Sequence, residues 1–316
     1  MNASTKILVT GATGFLGSNL VQLMRERGLN PITPTRQDYD LLEQAQVRRM
    51  LADIKPELVI HLAGLVGGIL ANQERPADYH YQNAFLSEVV MHESYRSGVK
   101  KYVTVMGGCS FPADAPNPIK ETSLFFGYPQ RLAAPYSLAK AMNPVQAAAY
   151  REQYGFDAIV LVPGNMYGPF DNFDLKRSHV IPALIRRYLE ARKQNLTEVV
   201  AWGSGRPVRD FVYVRDVCEA LLIAAEKYSG PDLITISSGK PVTIKELTEE
   251  VARVSGYHGK VVWDTSKPDA QMEKLFDVSR MRERLGYECP TSLSEGLGLT
   301  AQWLADNYDR ARLNVT

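Results

Sequence analysis

The chain predicts a doubly wound parallel α/β sheet followed by a smaller C-terminal α/β domain, and three observations carry that expectation. A short apolar run at residues 6–10 flows into glycines at 11, 14 and 17 and then into an amphipathic segment. Short apolar strands then alternate with helical segments through the first half, the pattern of a parallel sheet covered on both faces. From about Pro163 the alternation gives way to loops bearing Gly168-Pro169, Gly203-Ser204-Gly205 and Pro207 between helices.

The first strand is expected at Lys6-Ile7-Leu8-Val9-Thr10, and the first helix carries an apolar stripe of Leu16, Leu20, Leu23 and Met24. Glycines between them let the backbone approach a pyrophosphate, whose charge rests on the free N–H groups of the helix N-terminus. The place of this GxxGxxG directly after an N-terminal strand is what gives the dinucleotide reading its weight. A second strand is expected at Pro31–Thr35. An acid at its end would hold a ribose 2′-hydroxyl, but residues 33–36 contain none, and Arg36 offers a guanidinium fork to a 2′-phosphate. NADP(H) is therefore favoured over NAD(H), with Asp40-Leu41 placed near the adenine; otherwise Arg36 is an ordinary surface arginine.

Further strands are expected at Leu58–Leu62, Lys101–Val105 and Ala158–Val162, and helices of the second region at Val180–Arg192 and Ile244–Ser255. Residues 1–165 form the cofactor domain in this reading, with a return segment near 208–228, and residues 166–316 form most of a substrate domain. No internal repeat or low-complexity linker interrupts the chain.

The segment Tyr136-Ser137-Leu138-Ala139-Lys140 places a phenol and an ammonium at i and i+4 on one helical face. There the ammonium is expected to lower the phenol pKa from about 10 towards neutrality, making a hydride-transfer acid. Taken alone, such a pair is more often a solvated helix face. Composition sets the outer limits: 45% hydrophobic, 22% charged and a formal net charge of +1 give no nucleic-acid footprint and no signature of disorder. No apolar run approaches membrane-spanning length and MNASTK lacks signal-peptide character, so a cytoplasmic protein without a membrane partner is expected. Cys109, Cys218 and Cys289, odd in number and widely spaced, suggest neither a disulfide framework nor a metal site.

The glycine turn, His61-Leu62-Ala63-Gly64, Asn83, the YxxxK pair and the stretch Arg209–Val217 together resemble the extended short-chain dehydrogenase/reductase superfamily. Residues 66–72, 76–79, 108–112, 167–173, 178–184 and 202–205 narrow the resemblance to its GDP-L-fucose synthase family, over about residues 6–305; the Cys109 and His179 blocks are the most specific. The resemblance implies a Rossmann-type fold and a 3,5-epimerase/4-reductase acting on a nucleotide-linked 4-keto-6-deoxyhexose, with a GDP-sugar as partner and a homodimer as assembly. It implies NADP(H) held by Gly11, Thr13, Gly14, Phe15, Leu16, Gly17, Arg36, Asp40, Leu41, Leu62, Ala63, Gly64, Tyr136, Lys140, Pro163, Asn165 and His179. Substrate is implied at Gly107, Asn165, Arg187, Trp202, Arg209 and Lys267.

In such a site Tyr136 would protonate the developing alkoxide at C4, and Lys140 would tune Tyr136 and hold the nicotinamide ribose. Cys109 as thiolate and His179 protonated would work on opposite faces of the sugar at C3 and C5. Each has a plain rival: Cys109 as a small buried hydrophobe, His179 as a loop hydrogen bonder, Arg187 as an exposed helix residue, Trp202 as core.

Two departures stand out. The family carries Ser-Ser-Cys where this chain has Gly107-Gly108-Cys109, and glycine cannot supply the hydroxyl that the first serine directs at the C4 oxygen; loss of such a donor costs about 10²–10³ in rate. Glu273 stands where the family has an arginine beside the nucleotide diphosphate. A cofactor-recycling nucleotide-sugar epimerase or dehydratase, and a non-catalytic nucleotide-binding protein, are the alternative readings.

Overall fold

The computed structural model describes residues 1–175, 177–266, 269 and 271–313. In chain order it runs β1 (Ile7–Thr10), α1 (Phe15–Glu26), α2 (Gln44–Ile54), β2 (Leu58–His61), α3 (Ile69–Glu74), α4 (Pro76–Arg96) and β3 (Lys101–Val105). Next come α5 (Ala134–Tyr154), β4 (Asp157–Pro163), β5 (Asn165–Tyr167), α6 (Val180–Lys193), β6 (Glu198–Trp202), β7 (Val208–Tyr213), α7 (Val214–Lys227) and β8 (Ile234–Ile236). The remainder is β9 (Pro241–Thr243), α8 (Ile244–Val254), β10 (Lys260–Asp264), β11 (Glu273–Lys274), α9 (Ser279–Leu285) and α10 (Leu293–Asp306).

The main sheet has the order β1-β2-β3-β4-β8, parallel throughout. Its strands are buried on both faces, which is why they read as unbroken apolar runs rather than as alternation. One core lies under α1, α7 and α9, around Leu20, Val217 and Met281; the other lies under α2, α4 and α5, around Met50, Val90 and Ala141. The sheet is thus doubly wound, as expected. A third core, from Tyr167 through Ile185, Phe211 and Leu247 to Leu304, belongs to α6, α8 and α10 with the small sheets β5-β7-β11, β7-β9 and β6-β10.

The strands expected at 58–62, 101–105 and 158–162 are β2, β3 and β4, and the helices expected at 180–192 and 244–255 are α6 and α8. The strand expected at Pro31–Thr35 is not formed. Only Ile32 pairs there, its N–H donating to the Ile7 carbonyl at 2.8 Å and its carbonyl accepting from Val9 at 2.9 Å. Pro31 and Pro34 have no amide donor, so the ladder stops after one residue pair. The segment expected to return the chain at 208–228 divides: β7 pairs with β5, β9 and β11, while α7 packs into the core beneath α1. Among the described residues no helix is long and apolar enough to cross a membrane.

Candidate active site

The turn after β1 is built so tightly that two of its glycines are obligatory. Gly11 has φ +71°, and a β-carbon there would lie 2.6 Å from the Ala63 nitrogen; one on Gly17 would lie 2.1 Å from the Gly11 carbonyl oxygen. Gly14 is the N-cap residue of α1, and no side chain caps that N-terminus, which leaves backbone amides to face an anion. Thr13 is exposed on the turn, Phe15 is half-buried, and Leu16 anchors the helix in the core. Leu62, Ala63 and Gly64 follow β2 against the same turn. Arg36 has its side chain 74% exposed, 3.3 Å from Asp40, and Leu41 is half-buried behind them. A pyrophosphate and a 2′-phosphate fit this cradle: open amides, close-approach glycines and an accessible guanidinium are its parts. Pro163 closes β4, and Asn165 opens β5 with its amide donating to the Asp210 carbonyl at 2.8 Å.

Tyr136 and Lys140 lie one turn apart on α5, both buried. Burial lowers the Lys140 pKa to about 8, with Cys109 opposing the shift. The tyrosine departs from expectation: burial first, then Cys109 and Tyr79, push the phenol well above its ordinary value rather than towards neutrality. Desolvation, and not the neighbouring ammonium, sets the shift, which keeps the phenol protonated. A β-carbon on Gly64 would lie 2.9 Å from Asn83 Oδ1 and 4.0 Å from Lys140 Nζ, so the loop after β2 runs close beside α5.

Residues 108–110 form a 3₁₀ turn, not an extended segment. A β-carbon on Gly107 would stand 3.2 Å from Cys109 Sγ and 3.6 Å from the Tyr136 hydroxyl, so the thiol and the phenol converge on one point. Ser110 offers no substitute hydroxyl, because its Oγ donates to the Ser137 carbonyl at 2.9 Å. Lys274, not anticipated from sequence, completes this wall. Burial lowers its pKa, Cys109 raises it and Arg209 lowers it further, so the thiol and the guanidinium are both within electrostatic reach of the ammonium. Its strand β11 pairs with β7, Lys274 opposite Arg209. Phe276, also not anticipated, packs its buried ring on Phe111 and against Gly108.

His179 is the N-cap residue of α6. A β-carbon on Gly68 would lie 2.9 Å from the Arg177 carbonyl oxygen, so the loop before His179 is seated on the segment that follows Gly64. The histidine is accessible to solvent yet walled by protein, and that desolvation lowers its pKa below the ordinary histidine value. Arg187, on α6, donates to the Val200 carbonyl at 3.1 Å, and Trp202 ends β6 with 67% of its surface exposed. Arg209 is half-buried on β7, and burial lowers its pKa. Glu273 is exposed beside Lys274, while Asp269 accepts from the Ser204 amide at 2.8 Å and from its hydroxyl at 2.6 Å. Lys267 lies outside the described residues.

The model of the NAD dependent epimerase/dehydratase family matches residues 7–236. GDP-L-fucose synthase 1 of Arabidopsis thaliana is 41% identical over 305 residues, covering 96% of this chain and 94% of its own. The NADP-bound GDP-L-fucose synthetase of Naegleria fowleri superposes with a TM-score of 0.92 at 28% identity, covering 99% of this chain and 96% of its own. A GDP-D-glycero-L-gluco-heptose synthase from Campylobacter jejuni, solved in the presence of NADPH, gives 0.90 at 29% identity over 96% of this chain and 99% of its own. With this extent of likeness and the glycine cradle, buried Tyr136–Lys140 pair and facing thiol in place, the chain belongs to the NAD dependent epimerase/dehydratase family and, within it, to the GDP-L-fucose synthases.

Proposed function

We propose that this protein is an NADPH-dependent 3,5-epimerase/4-reductase of a GDP-linked 4-keto sugar. The observation that carries the reading is the convergence at Gly107, where a protonated phenol and a thiol face one point. The C4 ketone of such a sugar acidifies the hydrogens at C3 and C5. One base removes a proton to leave an enolate, and an acid on the other face returns one, inverting the carbon. The pair could begin as thiolate and imidazolium or as thiol and neutral imidazole. The lowered His179 pKa favours the second, with His179 taking the proton and the Cys109 thiol returning one.

NADPH, when bound, supplies the hydride that reduces C4. Tyr136 gives its proton to the C4 oxygen, and the Lys140 ammonium, buried beside it, holds the nicotinamide ribose. Gly11 to Gly17, Leu62 to Gly64, Pro163, Asn165 and His179 line the cofactor, and Arg36 takes the 2′-phosphate. Arg187, Arg209 and Lys274 neutralise the GDP diphosphate, and Trp202 covers the base. Lys274 supplies a cation beside the place where Glu273 cannot.

In the same reading, residues 1–165 with the return near 208–228 serve the cofactor and residues 166–316 mainly the sugar. Two copies associate through α4 and α5, whose Tyr81, Leu138, Met142 and Val145 are exposed. The setting is cytoplasmic. Turnover of GDP-4-keto-6-deoxymannose is the test: one NADPH oxidised per sugar reduced is the expected result, and activity that needs no added NADPH would instead favour a cofactor-recycling epimerase.

A further inference from the structure

Residues 107 and 108 are both glycine, and the backbone requires neither. Gly107 has φ −77° and ψ 144°, an extended conformation open to any residue, and neither residue is among the positive-φ glycines. Their reasons for lacking a side chain differ. A β-carbon on Gly108 would come 2.5 Å from Cζ and 2.9 Å from Cε1 of buried Phe276, so the protein fills that space itself. At Gly107 the nearest atoms are Cys109 Sγ at 3.2 Å and Cε1 and the hydroxyl of Tyr136 at 3.6 Å, all belonging to the two groups that face the substrate. A β-carbon at 107 would thus press on the thiol, which would have to give by a few tenths of an ångström, so glycine there leaves between the acid and the thiol the room that a side chain would take.

Building on the epimerase/reductase reading, we infer that Gly107 admits a longer sugar arm: the substrate is a GDP-linked 4-keto sugar whose exocyclic carbon at C5 bears a hydroxyl or a further carbon rather than ending as a methyl. The space adjoins the phenol that protonates the C4 oxygen and the thiol that works on a neighbouring ring carbon. Of the ring carbons flanking C4, C3 carries a hydroxyl of fixed size, whereas the arm on C5 varies in length from sugar to sugar. A hydroxyl on that arm would stand where a hydroxyl on residue 107 would otherwise stand, within reach of Tyr136. The substrate then supplies, beside its own C4 oxygen, the hydroxyl that the chain lacks at residue 107.

The test compares kcat/KM for two substrates that differ only at C6, GDP-4-keto-6-deoxymannose and GDP-4-ketomannose with its 6-hydroxyl, in the wild type and in Gly107→Ala and Gly107→Ser. The wild type is expected to prefer the 6-hydroxylated sugar by about tenfold or more, and either substitution to shift the ratio towards the 6-deoxy sugar by about 10–200-fold, the worth of a methylene-sized mismatch. A wild-type preference for the 6-deoxy sugar, or a ratio that neither substitution moves, would overturn the inference and leave the epimerase/reductase reading standing. No NADPH oxidation with either sugar would overturn that reading, and the inference with it. The wild-type ratio decides first, so a variant that fails to fold does not blunt the test.

Discussion

Tyr136, whose ordinary pKa of about 10 already keeps it protonated at neutral pH, is held further in that form by burial, reinforced by Cys109 and Tyr79. Tyr136→Phe is therefore expected to slow NADPH oxidation by about 10²–10⁴-fold, the usual worth of a positioned acid. Solvent exchange at C3 and C5, which the proposed mechanism assigns to Cys109 and His179, should survive; NMR of the sugar distinguishes the two. For His179 the sign follows from its lowered pKa. If the neutral imidazole is the base, exchange holds as pH falls through the ordinary histidine value of about 6.5 and fades only below it. A pH profile of C3 and C5 exchange whose acid limb lies at or above that value would contradict this assignment. The YxxxK pair was legible in the sequence because helical spacing is local. Lys274 was not, since its approach to Cys109 depends on β11 pairing with β7, a contact between strands more than sixty residues apart.

Element by element, local chemistry set what could be read. β2, β3 and β4 were visible as apolar runs, and α8 has a capping box in which Thr243 and Glu246 satisfy each other's amides. The strand expected at residues 31–35 fails because Pro31 and Pro34 offer a ladder no amide, leaving only the Ile32 pairing. Gly108 and Phe276 fit one another in a way that no single segment reveals. Gly108→Ala forces a methyl into a buried ring and is expected to cost about 1–3 kcal/mol in urea unfolding. In a Phe276→Leu background the same substitution should cost less, and a double-mutant cycle with no coupling would refute the fit.

Across the whole molecule the site gathers where the carboxyl ends of the main strands meet the second region: Gly11 after β1, Leu62 after β2, Gly107 after β3 and Asn165 after β4. That arrangement follows from the alternation of strands and helices, which is why the cofactor side was the more legible. The proposed sugar side draws on α6, β6, β7 and β11, whose mutual placement no periodicity records. The loop leading to His179 has its own pH dependence. Asp171 is buried with one carboxylate oxygen unpaired, and burial pushes its pKa up to about 7, against the lowering by the Asn172 amide and Arg312. The folded state thus holds a proton that the unfolded chain releases earlier, so stability is fullest below about pH 4 for this group, declines as pH rises towards 7 and then levels off. Asp171→Asn should flatten the fall in melting temperature across that window; an unchanged slope would count against a protonated Asp171.

The most direct measurement follows deuterium uptake at C3 and C5 of GDP-4-keto-6-deoxymannose in D₂O, alongside NADPH oxidation, in the wild type and in Tyr136→Phe. Label at both carbons with NADPH consumed in the wild type, and label with little oxidation in the variant, is the result predicted for one site holding an epimerising pair and a separate reducing acid. Oxidation without label in the wild type would contradict it, showing a reductase in which Cys109 and His179 move no protons on carbon.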